Sequence, residues 1–216
     1  MSDDHFEPVY GLPGFLPAGE KILWQGAPDW KGLAFRALRV REVLAYFAFL
    51  VVLELVRRLG AGDLQASAFS GLALTAVLGS AACLVLGVIA YLSARTTVYT
   101  VTNRRVAIRT GIAFTFTINL PFVLLDSVDV ATRRGGDGDV LLTLARSERL
   151  SYAMVWPSVR PWHYRYPQPL LRCIPQAQRV GELIARAVAE SGATVSVRRR
   201  TEAEVVTAPP REAVAA

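Results

Sequence analysis

From Leu64 to Ala94 no side chain carries a formal charge, and within Gly71 to Ala94 only Cys83 and Tyr91 are ionisable. A helix of ~20 apolar residues is enough to cross the hydrocarbon core of a bilayer, so this stretch predicts a membrane span over 71–94. It stops at Arg95, and the segment TTVYTVTNRRVAIRTG (residues 96–111) then switches from helical to alternating periodicity. A second apolar run, Val43 to Val56, is 14 residues long and contains Glu54. As a helix it covers roughly 21 Å, which suits either a short span or a buried core helix. Arg39 and Arg41 before it and Arg57 and Arg58 after it favour a span over about 43–59, because their long stems can reach opposite headgroup layers. Glu54, one turn from the end, is within reach of Arg57 and Arg58 and reads as interfacial.

The alternating half predicts a sheet. Residues 96–102 are dense in Thr, Val and Tyr, Asn103 and Arg104 form a turn, and Val106 and Ile108 alternate up to Gly111. In the next segment Ile112, Phe114, Phe116, Ile118 and Leu120 share one face until Pro121, which predicts one long strand with a buried side. Further strands are expected at Leu124–Ala131, Val140–Ala145 and Leu150–Tyr152, with GGDGD (135–139) as a hairpin turn. After an aromatic, Pro-rich loop (Trp156–Pro169), Pro175 opens a helix in which Val180, Leu183, Ile184, Ala187 and Val188 form one apolar stripe ending near Gly192. At the other end of the chain, residues 1–19 are rich in Pro and Gly and read as an irregular arm. Lys21–Gln25 reads as a short strand, and Trp30–Arg41 as a basic amphipathic segment on a membrane surface. Residues 192–216 read as a disordered tail.

Composition narrows the setting. With 216 residues, 52% hydrophobic, and a mean hydropathy of +0.33, the chain fits a small membrane-anchored protein. The net charge of +6 comes almost wholly from arginine, since Lys21 and Lys31 are the only lysines. Basic residues flank the spans: Lys31, Arg36, Arg39 and Arg41 before the first, and Arg95, Arg104, Arg105 and Arg109 after the second. The positive-inside rule therefore expects a multi-pass membrane protein with both termini cytoplasmic, although Arg57 and Arg58 in the connection oppose it. The first thirty residues hold five acidic side chains and no apolar core, so no secretory signal is expected there. Cys83 and Cys173 stand far apart and read as buried or membrane-facing thiols.

Catalytic chemistry finds no foothold. His5 and His163 are the only histidines, neither lies at metal-ligand spacing, and there is no GxSxG elbow or phosphate-binding loop. The expectation is a non-enzyme without cofactor or metal. No helix-turn-helix or aromatic RNA platform accompanies the positive charge, so nucleic acid is not an expected partner. Arg39, Arg41, Arg95, Arg104 and Arg105 are candidate contacts for lipid headgroups. Trp156, Trp162 and Tyr164 are candidate interface residues, since so many aromatics exceed what a small core holds. Gly79 and Gly87 on the second span are candidate helix-packing positions, towards a client or a second copy.

The run YTVTNRRVAIRTG (99–111), the NLPF that ends the next strand (119–122), GDVLLTL (138–144) and the terminal helix together resemble the bacterial pleckstrin-homology (PH) domain family over roughly residues 96–190. The resemblance implies a curled antiparallel sheet capped by a helix. The flanks, Gly11–Trp30 and Trp156–Val180, are similar to the PuhB-type photosynthetic complex assembly proteins of purple bacteria, with WQG (24–26), RPW (160–162) and PQP (167–169) as the recognisable positions. Trp24, Trp30 and Arg160 join the candidate interface on that ground. The expected whole is an α+β membrane protein: arm 1–41, transmembrane hairpin 42–95, PH-like domain 96–191 and tail 192–216. The second resemblance implies a scaffold that assembles the reaction centre with its core antenna, with their subunits and membrane lipids as partners and self-association possible. The alternative reading is a generic membrane-anchored PH-like domain that binds lipid headgroups or a signalling partner.

Overall fold

The computed structural model of the chain describes residues 10–12, 14–62, 69–112, 114–133, 135–144, 158–160, 167–192 and 195–199. The chain divides into two compact units, Met1–Asp29 with Ser93–Ala216, and Trp30–Leu92.

The first unit holds two four-stranded sheets. In one, β1 (Ile22–Gly26), β2 (Val98–Thr102), β3 (Arg105–Thr110) and β4 (Phe116–Pro121) pair antiparallel in chain order. In the other the order is β7 (Leu170–Ile174), β6 (Gly138–Leu144), β5 (Leu125–Thr132), β8 (Ser196–Arg199), with β8 parallel to β5. The alternating residues fill one shared core: Tyr99, Val101, Val106, Ile108, Ile118 and Leu120 from the first sheet, and Val128, Val130, Val140, Leu142, Leu171 and Ile174 from the second. Fully burying one such aliphatic side chain contributes about 1.5–3 kcal/mol, so period-2 alternation dictates which face turns inward. The terminal helix α4 (Ala177–Glu190) lays Val180, Ile184, Ala187 and Val188 on that core, as its apolar stripe predicts. It lies close to β5 at Gly181, where a Cβ would sit 2.3 Å from Val130 Cγ2.

β1 and β2 are neighbours, with Gly26 opposite Tyr99, yet the whole second unit separates them in sequence. That unit holds a helical turn α1 (Trp30–Gly32), a π-helical turn (Leu33–Ala37), α2 (Val40–Ala61) and most of α3 (Phe69–Thr96). The stretch expected as one amphipathic segment is therefore broken. The Leu38 N–H bonds back to the Leu33 carbonyl at 3.0 Å, and Arg39 adopts the left-handed conformation (φ 52°) before α2 begins. One face is still buried, through Leu33 and Ala34, while Phe35 and Arg36 are exposed.

Three other expectations change. The long strand from Ile112 is halved: Gly111 (φ +133°) opens a loop so tight that a Cβ there would fall 1.8 Å from the Phe114 carbonyl oxygen, and β4 starts only at Phe116. Strict alternation cannot tell a strand from a loop carrying exposed apolar residues, and here the loop takes Ile112 and Phe114. The strand β7, bounded by Pro169 and Pro175, falls in the gap between the expected loop and the expected helix; its Cys173 is buried, as one reading of that thiol has it. Ser196–Arg199, expected in a disordered tail, forms β8 along the edge of β5. The GGDGD segment does turn the chain between β5 and β6: Gly136 has φ +79° and the Arg133 N–H bonds to the Asp137 carbonyl at 2.9 Å. The strand expected at Leu150–Tyr152 lies outside the described residues.

Candidate functional site

The chain leaves the sheets after β1 and returns to them at β2, and both junctions are fixed by hydrogen bonds. On the outgoing side the Asp29 N–H donates to the Cys173 carbonyl at 2.9 Å, and Cys173 sits in a bulge with φ 49° whose own N–H donates to Asp139 Oδ1 at 2.7 Å. On the returning side α3 ends at Thr96, the Thr97 hydroxyl meets the Thr110 hydroxyl at 3.2 Å in a buried contact, and β2 starts at Val98 opposite Arg109. The turn between β3 and β4 is thus stitched to the end of α3.

Within the helical unit, Trp30 and Tyr91 meet edge to face at 6.2 Å between ring centres, with Lys31 Nζ 5.8 Å from the Trp30 ring. Phe47 lies against Gly79, where a Cβ would come within 2.7 Å of the ring, and the Arg58 guanidinium lies against Gly71. Arg58 near the end of α2 thus meets Gly71 near the start of α3, and the earlier Phe47 meets the later Gly79, the pattern of an antiparallel pair. Glu54 takes bonds from Arg57 (2.8 and 2.9 Å) and Arg58 (2.7 Å), the partners its position predicts. No residue of α2 is buried, and among the described residues eight large apolar side chains are exposed on each of α2 and α3. An exposed apolar surface on that scale marks a face that meets lipid or another protein. Among the described residues α3 alone is long and apolar enough to cross a membrane by length and composition.

Of the candidate lipid contacts, Arg39, Arg41, Arg95 and Arg104 are exposed. Arg105 is committed elsewhere: its Nε and Nη2 donate to the buried carboxylate of Glu20 at 2.8 and 3.2 Å, and Nη1 to Asn119 Oδ1 at 3.3 Å. That pair, with Lys21 N–H to Asn103 Oδ1 at 2.9 Å, fastens the irregular arm to the β2–β3 turn. Arg160, expected at an interface, is only 2% exposed and donates to Gln168 Oε1 at 2.8 Å. Trp24 is half-buried against the core, its indole folded over Gly26. Trp30 is exposed, while Gly79 is used inside the helix pair and a Cβ at Gly87 would meet nothing within 4 Å. Trp156, Trp162 and Tyr164 lie outside the described residues. What the pattern missed is the exposed pair Ile112 and Phe114; the signal was Gly111 immediately before them.

Behind these surfaces lies a buried polar knot. The Tyr99 hydroxyl shares a 2.8 Å hydrogen bond with Ser158 Oγ and accepts the Arg172 N–H at 3.2 Å, while Arg172 Nη2 donates to the Val159 carbonyl at 2.7 Å. Burial pushes the Tyr99 phenol up to about 12, so it stays neutral at physiological pH and serves as structure. Among the described residues no group of three or more His, Cys, Asp or Glu is placed to hold a metal ion.

The bacterial PH domain family matches residues 40–188, a range that takes in α2 and α3 as well as β2 to β7. A protein of Rhodobacter capsulatus described as an uncharacterized 23.7 kDa protein in the puhA 5' region is 34% identical over 186 residues, covering 86% of this chain and 87% of that one. No solved structure matches the chain. With two four-stranded sheets closed by a C-terminal helix, and with that match across most of its length, the chain belongs to the bacterial PH domain family.

Proposed function

We propose that this protein is a non-catalytic assembly factor of the bacterial inner membrane that helps join the photosynthetic reaction centre to its core light-harvesting antenna. It acts as a scaffold, through its membrane helices and its cytoplasmic PH-like domain. The observation that supports this reading best is the insertion of an apolar helical unit between two paired strands. Because β1 and β2 share a sheet, any membrane that the unit enters is crossed an even number of times. α3 supplies one crossing, and α2, with 22 residues and ~33 Å, is long enough for the other. The basic flanks favour the cytoplasm for the sheets. For the client, the support is the likeness of the flanking segments to photosynthetic assembly proteins, together with a relative named for its position beside puhA.

The test is deletion of the gene in its host, followed by near-infrared absorption spectra of the membranes. Reduced reaction-centre and core-antenna bands, restored by the gene in trans, are expected. Unchanged bands would overturn the assembly role and leave a lipid- or partner-binding PH-like domain as the better reading.

A further inference from the structure

The β3–β4 hairpin presents a feature that the scaffold reading does not use. Its tip exposes Ile112 (45%) and Phe114 (77%), two large apolar side chains that no core covers. Gly111, with φ +133° and no room for a Cβ, makes the turn tight enough to display them. The tip also has a defined place in the molecule. β2 leaves α3 at Val98, and β3 runs antiparallel to it, so past Arg109 the chain heads back to the level at which α3 ends. The Thr97–Thr110 hydroxyl contact locks that placement. The exposed Arg95 sits on the last turn of α3, which puts positive charge at the level to which the tip returns. Apolar residues rimmed by arginine are what the boundary between headgroups and acyl chains accepts.

We infer that the β3–β4 tip is a second membrane contact, in which Ile112 and Phe114 dip into the lipid surface from which α3 emerges. The contact gives the sheets an attachment to the bilayer besides their covalent link to α3. It rests on the reading of α3 as a span, and its occupant is lipid, since the tip is tied to the end of the one described helix fit to cross a membrane.

The test uses the full chain with Cys83→Ser, reconstituted in vesicles of phosphatidylethanolamine and phosphatidylglycerol. A nitroxide is placed by Phe114→Cys, by Ile112→Cys, by Val123→Cys at the opposite end of β4, or by Leu84→Cys within α3. Collision with oxygen and with a water-soluble nickel chelate is then read by power saturation. The labels at 114 and 112 are expected to show an oxygen-to-nickel ratio several-fold above that at 123 and approaching that at 84. Ratios at 114 and 112 equal to that at 123, with a lipid signature at 84, overturn the tip contact and spare the span. Low access to both reagents at 114 marks burial against protein and also overturns it. An aqueous signature at 84 overturns the span and the tip contact together.

Discussion

Tyr99 shows how much a single side chain can hold in this protein. It is fully buried, it bridges Ser158 and the backbone of Arg172, and it ties β2 of one sheet to β7 of the other. Tyr99→Phe leaves a hydroxyl and an N–H without that partner, and a cost of about 1–3 kcal/mol is expected from thermal or denaturant unfolding in detergent. The phenol also predicts a pH dependence. Its folded value of about 12 lies above the ordinary value of 10, so the folded state holds its proton longer than the unfolded chain does. The associated stability is fully present below pH 10 and is lost as pH rises from 10 to about 12, by roughly 2–3 kcal/mol. In Tyr99→Phe this increment of alkaline loss should vanish; an identical alkaline profile in both proteins would show that Tyr99 does not titrate as described. Arg105 and Arg160 make a similar point about charge. Both look like surface arginines in a basic chain, and both are held by internal partners that lie far away in sequence or across a loop.

At the level of elements, helices α2 and α3 separate two roles that look alike in sequence. Gly79 and Gly87 are both glycines on one apolar helix, but Phe47 occupies the space over Gly79 and nothing lies near Gly87. Gly79→Leu should therefore disrupt the helix pair itself, lowering the midpoint of thermal unfolding in detergent, with partial recovery when Phe47→Ala is added. Gly87→Leu should leave that midpoint unchanged. If α3 also packs on client subunits, it should reduce their copurification at equal expression; undiminished recovery would remove Gly87 from the interface. The strands teach the converse. β8 is invisible in the pattern because four residues of a polar tail have no periodicity of their own, and only the unpaired edge of β5 gives them a partner. β4 is overextended by the pattern because alternation continues through Ile112 and Phe114 into a loop that Gly111 turns away from the sheet.

For the whole molecule, topology follows from strand pairing more firmly than from hydropathy. An insertion between two paired strands must return to the side it left, so the second unit crosses a membrane twice or not at all. A green fluorescent protein fused after Ala216 should fluoresce, and alkaline phosphatase inserted between Gly62 and Phe69 should be active, reporting cytoplasmic and external positions respectively. Active phosphatase after Ala216, or inactive phosphatase between the helices, would contradict the two-crossing arrangement. By itself the sequence determined what local periodicity encodes: the long apolar helix, the β2–β3 hairpin, the GGDGD turn and the amphipathic α4. Only the tertiary structure decided that β1 and β2 are neighbours across the helical unit, that Glu20 claims Arg105, and that Phe47 fills the space over Gly79. It also turned Ile112 and Phe114 from a strand face into an exposed tip. The reason is physical. Periodicity records which side of an element is apolar, whereas pairing partners and uncovered surfaces depend on contacts between residues that the chain brings together only when it folds.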